Sequence, residues 1–600
     1  MAVERQPRTR TELLWMAAII VVAIALRFWS LGADPMQELS GGFISDEGTW
    51  WKNPRLHAIW GTWMVDDGNY GILTAPAYTL LMRGVFGLLG VGYVQAYTAS
   101  AVSGLLTMLL VYFMVRKEAG GTAAVLASAF VGINALTVPY DRSAYPESFQ
   151  LMMMTATIAA TLACRGRVWL AVLAGIAVVI VLLSKPPGIV LAPIATAAWL
   201  AVWWMDRQTG RPREFDLRAV LAYAGVAAGI LTVVGVVYLR PYASDVWTHF
   251  QIQMSDGAIF GAAMTDRVQL FGTRFSFRLN DFFRSQWYLI VVAAVSAATR
   301  IARVTRRPVT TIELAAWIWL VMGFGVMGMQ TYQVDRRFLF LIPPLAMLAA
   351  IAVSQALEVG ESAWKSPRAR RIATALAAAV LAFALMFYVV PFGVWKLMAL
   401  GKLLGRTWSY GIAGGLLLSS MIFGAALLAA WLVPTVRFRA SAKPLIALMA
   451  IPVVLALVQL TTEISHLGRG LEAVSQTLSR VATLWPGERV AAAGWPAGTL
   501  TMGSGILPVN HEVKGPSAAE RFRPQLELYA ATPGKPLKQN AMWAVAGRPR
   551  KVDCAQLPIW TDASGKPRLV VHIYVEPDRL SDCKAKVREQ AAQVMVSNGR

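Results

Sequence analysis

Apolar runs of about 17–25 residues recur along the chain, long enough for a helix to cross the hydrocarbon core of a bilayer. A surface helix of a soluble protein would place polar residues at every third or fourth position, and these runs do not. The runs predict spans at 12–31, 93–115, 120–138, 144–163, 168–183, 187–205, 217–239, 286–299, 312–330, 336–355, 371–391, 409–432 and 443–461. The pattern is that of an all-α polytopic membrane protein with about thirteen transmembrane helices. It shows no repeat of fixed period. One further apolar stretch, Gly71 to Gly90, is interrupted by Pro76 and Arg83. It is read as a helix lying along the outer face of the membrane, because counting it as a span would invert every later loop.

From about Thr462 the pattern changes. Trp485-Pro486-Gly487-Glu488 opens a soluble stretch with the alternating, strand-like run Leu569 to Val575, followed by a helical pattern from Asp582 to Val594. The expected organisation is a membrane domain over 1–461 and a small C-terminal α/β domain over 462–600.

Charge adds direction. The chain is 56% hydrophobic and 15% charged, with a formal net charge of +22. In a soluble domain that excess would point to nucleic acid, but here it sits mostly in short loops between apolar runs. Basic loops occur at Arg116-Lys117, Arg165–Arg167, Arg207–Arg218, Arg300–Arg307, Lys365–Arg371 and Arg437–Lys443. Together with Arg5, Arg8 and Arg10 they should face the cytoplasm, which puts the N-terminus inside and the C-terminal domain outside. No small-residue cleavage site follows the first span, so Leu13 to Leu31 reads as a retained anchor. Of three cysteines, Cys554 and Cys583 lie near the C-terminus and either pair in an oxidising compartment or stay reduced. No zinc-type spacing occurs; no cofactor is indicated, and a divalent metal has no support from these residues.

The ionisable residues that orientation leaves unexplained fall in the outer loops: Asp46, Glu47, Asp66 and Asp67, then Asp141, Arg142 and Glu147, then Lys185, and last Asp335, Arg336 and Arg337. A carboxylate can accept the proton of an incoming hydroxyl while Arg or Lys stabilises charge developing on a phosphate. Each feature also has a plainer reading. Loop acids are commonly solvated, Asp66-Asp67-Gly68 suits a turn, and Arg336-Arg337 suits interfacial snorkelling. Trp50, Trp51, Trp60, Trp63 and Tyr70 suit a membrane belt or a sugar platform. Outer loops over 32–92 and 240–285 exceed what connecting helices requires.

In order along the chain come Ser45-Asp46-Glu47, then Tyr70-Gly71-Ile72-Leu73-Thr74-Ala75-Pro76 leading to Val85-Phe86-Gly87. Asp141-Arg142-Ser143-Ala144-Tyr145-Pro146-Glu147 and Arg336-Arg337-Phe338-Leu339-Phe340-Leu341-Ile342-Pro343-Pro344 follow. This series resembles the polyprenyl-phosphate-dependent glycosyltransferases of the GT-C class, in the branch of protein O-mannosyltransferases and lipid A aminoarabinose transferases. The resemblance covers about residues 10–355 and is strongest in the first 200. It implies a GT-C-like fold with outer juxtamembrane helices, in a bacterial plasma membrane. It implies Asp46 as catalytic base with Glu47 beside it, and Glu147 as a supporting or acceptor-orienting acid. Arg336 and Arg337 would contact donor phosphate, and 240–285 would be a flexible loop closing over the donor. Relatives often carry Lys before the first-loop proline where this chain has Thr74 and Ala75, which leaves Lys185 as the substitute phosphate contact. Asp67, Tyr70 and Asp141 are the candidate acceptor- or sugar-lining residues.

The expected activity is inverting transfer of a sugar from a polyprenyl-phosphate-linked donor to an acceptor hydroxyl of a protein, lipid or polysaccharide. The absence of a nucleotide motif agrees with a lipid-linked donor. The alternative is a transporter or flippase of lipid-linked sugars. Transporters place ionisable groups at the bilayer midplane, whereas these cluster in outer loops.

Overall fold

The computed structural model describes residues 9–33, 47–61, 70–164, 167–185, 188–209, 217–243, 309–329 and 335–359, with scattered residues across 246–300 and 453–465. In the C-terminal region it describes 470–486, 490–493, 507–509, 526–531, 552–561 and 567–595. The helices are α1 (Arg10–Phe28), α2 (Glu47–Trp60), α3 (Tyr70–Thr74), α4 (Pro76–Leu89), α5 (Tyr93–Gly132) and α6 (Thr137–Asp141). They continue with α7 (Pro146–Cys164), α8 (Val168–Ser184), α9 (Gly188–Thr209), α10 (Leu217–Val233), α11 (Thr311–Met329) and α12 (Ile342–Val359). A 3-10 stretch, Asp335–Leu341, leads into α12.

Helix α5 doubles back on itself. Gly120 has φ +87°, which a residue without Cβ adopts at no steric cost. Before it, Arg116 Nε donates to Glu12 Oε1 at 2.6 Å; after it, a Cβ on Gly121 would lie 2.5 Å from Glu12 Oε2. Both flanks of the turn therefore meet the start of α1. The far end, Gly132, offers its carbonyl to Arg27 Nη1 at the close of α1, 2.8 Å away. The two spans expected at 93–115 and 120–138 are thus antiparallel arms joined at Gly120.

The expected spans from 12–31 to 217–239, and those at 312–330 and 336–355, all fall on helices. The span at 286–299 is described in part, 371–391 and 409–432 lie outside the described residues, and so does most of 443–461. By length and composition, four described helices are long and apolar enough to cross a membrane: Arg10–Phe28, Tyr93–Gly132, Leu217–Tyr242 and Arg336–Gln355. Shorter apolar helices include Pro76–Leu89, Val168–Ser184 and Thr311–Met327. The first of these, α4, buries Tyr78, Met82 and Phe86 on one face and exposes Leu80, Leu88 and Leu89. Small residues let the helices approach closely, as Ala171, Ala174 and Ala177 do where α8 packs between α7 and α10.

Loops that charge alternation assigns to opposite sides lie at opposite ends of the bundle. At the Glu12 end, Lys117 Nζ donates to Leu162 O, Glu118 caps α11 through the Ile312 amide at 2.8 Å, and Arg300 pairs with Glu313. At the Arg27 end lie the α6–α7 and α8–α9 junctions.

Among the described residues the C-terminal region pairs five strands: β1 (Val490–Ala493), β2 (Leu507–Val509), β3 (Leu526–Ala531), β4 (Val552–Thr561) and β5 (Pro567–Val575), in the order β2-β1-β3-β5-β4. The first three run parallel, and β5 is antiparallel to both its neighbours. Helices α13 (Gly470–Thr483) and α14 (Leu580–Met595) cover it through Leu478, Val481 and Val587. The expected strand-like run is β5, with Val571, Ile573 and Val575 buried in alternation. Cys554 and Cys583 form a disulfide that fastens α14 to β4, which decides between the two alternatives the sequence left open.

Candidate active site

Pro146 starts α7, its fixed φ suiting the first helical position, and this puts Glu147 in the first turn, where exposed amides favour a carboxylate. Lys185 follows the last residue of α8 in extended backbone, and Gln150 holds that end of the helix by donating to the carbonyls of Val181 (3.1 Å) and Lys185 (3.2 Å). Arg336 arrives from the 3-10 stretch. These three elements, distant in sequence, converge on one carboxylate.

Glu147 Oε1 pairs with Lys185 Nζ and lies 3.3 Å from Arg336 Nε. Glu147 Oε2 is buried with no hydrogen-bond partner among the described residues. The Lys185 ammonium lies 4.8 Å from the centre of the Trp50 ring, and the Arg336 guanidinium 4.7 Å from that of Tyr145. Glu147, Gln150, Lys185, Arg336 and Arg337 line a cleft of about 450 Å³, whose remaining walls are apolar and include Leu191, Val326 and Phe340. Burial pulls the Lys185 ammonium down to about 8, against the opposing attraction of Glu147. Among the described residues the cleft brings one carboxylate, Glu147, together with Lys185, Arg336 and Arg337 beside an apolar wall. Such a site suits an anionic headgroup carrying a long hydrocarbon tail.

The other candidates separate. Asp141 does not line this cleft. Its Oδ2 accepts from Arg27 Nε (3.0 Å) and Nη2 (2.8 Å), and the remaining Arg27 donors reach the Ala23 and Gly132 carbonyls. Burial pushes the Asp141 carboxyl up while Arg27 opposes it. Gly104 makes room for this pair, since a Cβ there would fall 2.1 Å from Asp141 Oδ2. Arg142 caps the end of α1, donating to the carbonyls of Leu26, Arg27, Trp29 and Ser30. Glu47 opens α2 fully buried, its Oε1 accepting from the Ala144 amide at 3.0 Å and its Oε2 from Tyr97 OH at 3.4 Å.

Asp46 and Asp67 lie outside the described residues, as does the stretch 248–281 of the expected donor loop. Tyr70 begins α3. Sequence reading named Trp50 as a belt or sugar-platform residue and Tyr145 within a motif, without placing either against the cations, and it missed Gln150. The i, i+3 spacing of Gln150 from Glu147 was the available signal for the last. Among the described residues no three His, Cys, Asp or Glu side chains converge as metal ligands would.

Residues 74–238 match the family described as dolichyl-phosphate-mannose-protein mannosyltransferase. No curated protein sequence matches the chain. Two crystal structures of ArnT from Cupriavidus metallidurans, one bound to undecaprenyl phosphate and one in the apo state, are similar in fold with TM-scores of 0.55 and 0.56. Each is 16% identical, over 94% of this chain and 98% of that one. The oligosaccharyltransferase AglB from Archaeoglobus fulgidus is similar with a TM-score of 0.46 and 13% identity, over 87% of this chain and 69% of that one. The mostly helical chain has the GT-C membrane fold, and the resemblance its motifs carry, to the polyprenyl-phosphate-dependent glycosyltransferases, is borne out by the family match and the fold together.

Proposed function

We propose that the protein is an inverting glycosyltransferase that moves a sugar from a polyprenyl-phosphate-linked donor to an acceptor hydroxyl at the outer face of a bacterial plasma membrane. The observation that carries this reading is the Glu147–Lys185–Arg336 cluster in a cleft with an apolar wall. The undecaprenyl phosphate bound to the ArnT of similar fold supports the same ligand class here.

In the proposed reaction Asp46 accepts the proton of the acceptor hydroxyl as its oxygen attacks the anomeric carbon from the face opposite the phosphate. The bond between anomeric carbon and phosphate oxygen breaks, and its electron pair leaves on the lipid phosphate. Lys185, Arg336 and Arg337 stabilise the added negative charge, which is greater in the transition state than in the bound donor. Glu147 holds Lys185 and Arg336 in place and orients the acceptor through Oε2. The same reading puts the N-terminus in the cytoplasm and the C-terminal region outside, and the Cys554–Cys583 disulfide supports an oxidising compartment for the latter.

The test is transfer by the purified protein in liposomes, supplied with a panel of undecaprenyl-phosphate sugars and of hydroxyl acceptors (peptide, lipid and polysaccharide), and read as released undecaprenyl phosphate. Asp46→Asn, folded and inserted, is expected to lose turnover by about 10²–10⁴-fold. Full turnover by that variant overturns the assignment of Asp46. Movement of donor across the bilayer without release of undecaprenyl phosphate overturns the transferase reading in favour of transport.

A further inference from the structure

Glu47 stands next to the proposed base, yet its geometry gives it a different task. Its carboxylate is fully buried, and its oxygens accept from the Ala144 amide and the Tyr97 hydroxyl. A group that takes a proton from an acceptor must reach that acceptor with a lone pair, and these lone pairs are directed into the protein.

The turn that Glu47 holds leads straight to the cleft. Ala144 is followed by Tyr145, whose carbonyl accepts from Ser100 Oγ at 3.3 Å and whose ring lies against the Arg336 guanidinium. Two residues further, Glu147 pairs with both Lys185 and Arg336. On α2 itself, Trp50 is one helical turn from Glu47, on the same face, with its ring against Lys185. One face of α2 thus braces the cationic cluster from two directions, by a hydrogen bond to the turn before Glu147 and by an aromatic surface against Lys185.

We infer that Glu47 is a positioning residue that sets the 144–147 turn, and through it Arg336 and Glu147, and that it carries no proton in the reaction. The inference rests on the polyprenyl-phosphate reading of the cleft. What the role requires is an acceptor oxygen at the Oε1 position rather than a negative charge, so glutamine replaces it and alanine does not.

The experiment compares full-length wild type, Glu47→Gln and Glu47→Ala in nanodiscs, with undecaprenyl phosphate as the binding probe. Glu47→Ala is expected to weaken binding about ten-fold, the loss of one hydrogen bond to a charged group, with Glu47→Gln within about three-fold of wild type. The pH profile of binding should be the same in wild type and Glu47→Gln. A Gln variant as damaged as the Ala variant, or an altered pH profile, would show that the charge itself is needed and overturn the inference. Amide hydrogen exchange of the 143–147 segment supplies a readout independent of the ligand. Exchange should be slow in wild type and Glu47→Gln and fast in Glu47→Ala; equal protection in all three overturns the inference, also where Glu47→Ala binds poorly because it folds poorly. Failure of wild type itself to bind undecaprenyl phosphate, with the exchange pattern as expected, rejects the reading of the cleft and leaves Glu47 as the brace of the turn.

Discussion

Two buried acid–base centres lie at the same end of the bundle, and they are built to opposite specifications. In the Arg27–Asp141 centre one cation meets one anion, and every donor nitrogen of Arg27 has an acceptor. In the Glu147 centre one anion meets Lys185 and Arg336, with Arg337 on the same cleft, and one Glu147 oxygen has no hydrogen-bond partner among the described residues. The first is closed and sits against the close approach of Gly104; the second opens on a cleft of about 450 Å³. A buried ion pair satisfied within the protein is a fastener, while ionisable groups gathered on an open cleft are placed where a ligand can reach them. Similar residue types, with both acids in the same sequence motif, therefore do different work.

The sharpest break of this comparison is to remove a cation from each centre. Arg336→Met should lower transfer by about 10²–10³-fold, as loss of one preorganised contact to developing charge does, while leaving the unfolding temperature near wild type. Arg27→Met should do the reverse, stranding Asp141 without its cation and costing about 3–5 kcal/mol of stability by denaturant unfolding in mixed micelles. Equal effects of the two variants on stability would remove the distinction.

A second variant sharpens it. Replacing both partners of the closed pair, Arg27→Met with Asp141→Leu, should recover most of the stability lost in the single variant, since no charge is left stranded. No recovery would mean that the pair does more than fasten α1 to α6.

A smaller effect concerns packing. Gly104→Ala pushes a methyl group against the Asp141 carboxylate and should cost about 1–3 kcal/mol, measured by the same unfolding assay, with the ligand affinity of the cleft unchanged.

The least of these effects is a pH limb. Burial holds the Lys185 ammonium down to about 8, so on the proposed reading it grips phosphate below that pH and releases it above. Undecaprenyl phosphate binding should fall about five-fold from about pH 7 to about pH 9, the difference between a charged and a neutral hydrogen bond. Lys185→Arg should abolish that limb, because a guanidinium stays protonated throughout. A wild-type profile flat across this interval would place Lys185 outside the phosphate contacts.

Much of this was legible in the chain before any coordinates. Apolar run length alone placed α1, α7, α8, α9, α10 and α11, because a helix in lipid must satisfy its own backbone and so needs a set number of apolar residues. Charge alternation sorted the loops into two sets, and the contacts of Glu12 and Arg27 keep those sets at opposite ends. The order of acidic and basic motifs led to the GT-C fold, which the matches bear out.

What the sequence could not distribute was labour among its acids. Asp141 and Glu147 are six residues apart in one motif, and nothing local says that one is consumed by Arg27 while the other is shared by Lys185 and Arg336. Nor does the chain reveal that Glu47, beside Asp46, turns inward to the Ala144 amide. Hydrophobic length and loop charge are properties of a segment against its solvent, so they could be read from the chain for the described helices and for the sorting of their loops. The state of a carboxylate depends on which cations, amides and cavities other segments bring to it. Those contacts join residues 38 positions apart for Glu147 and Lys185, 97 for Glu47 and Ala144 and 114 for Arg27 and Asp141, so they are set by how the helices pack.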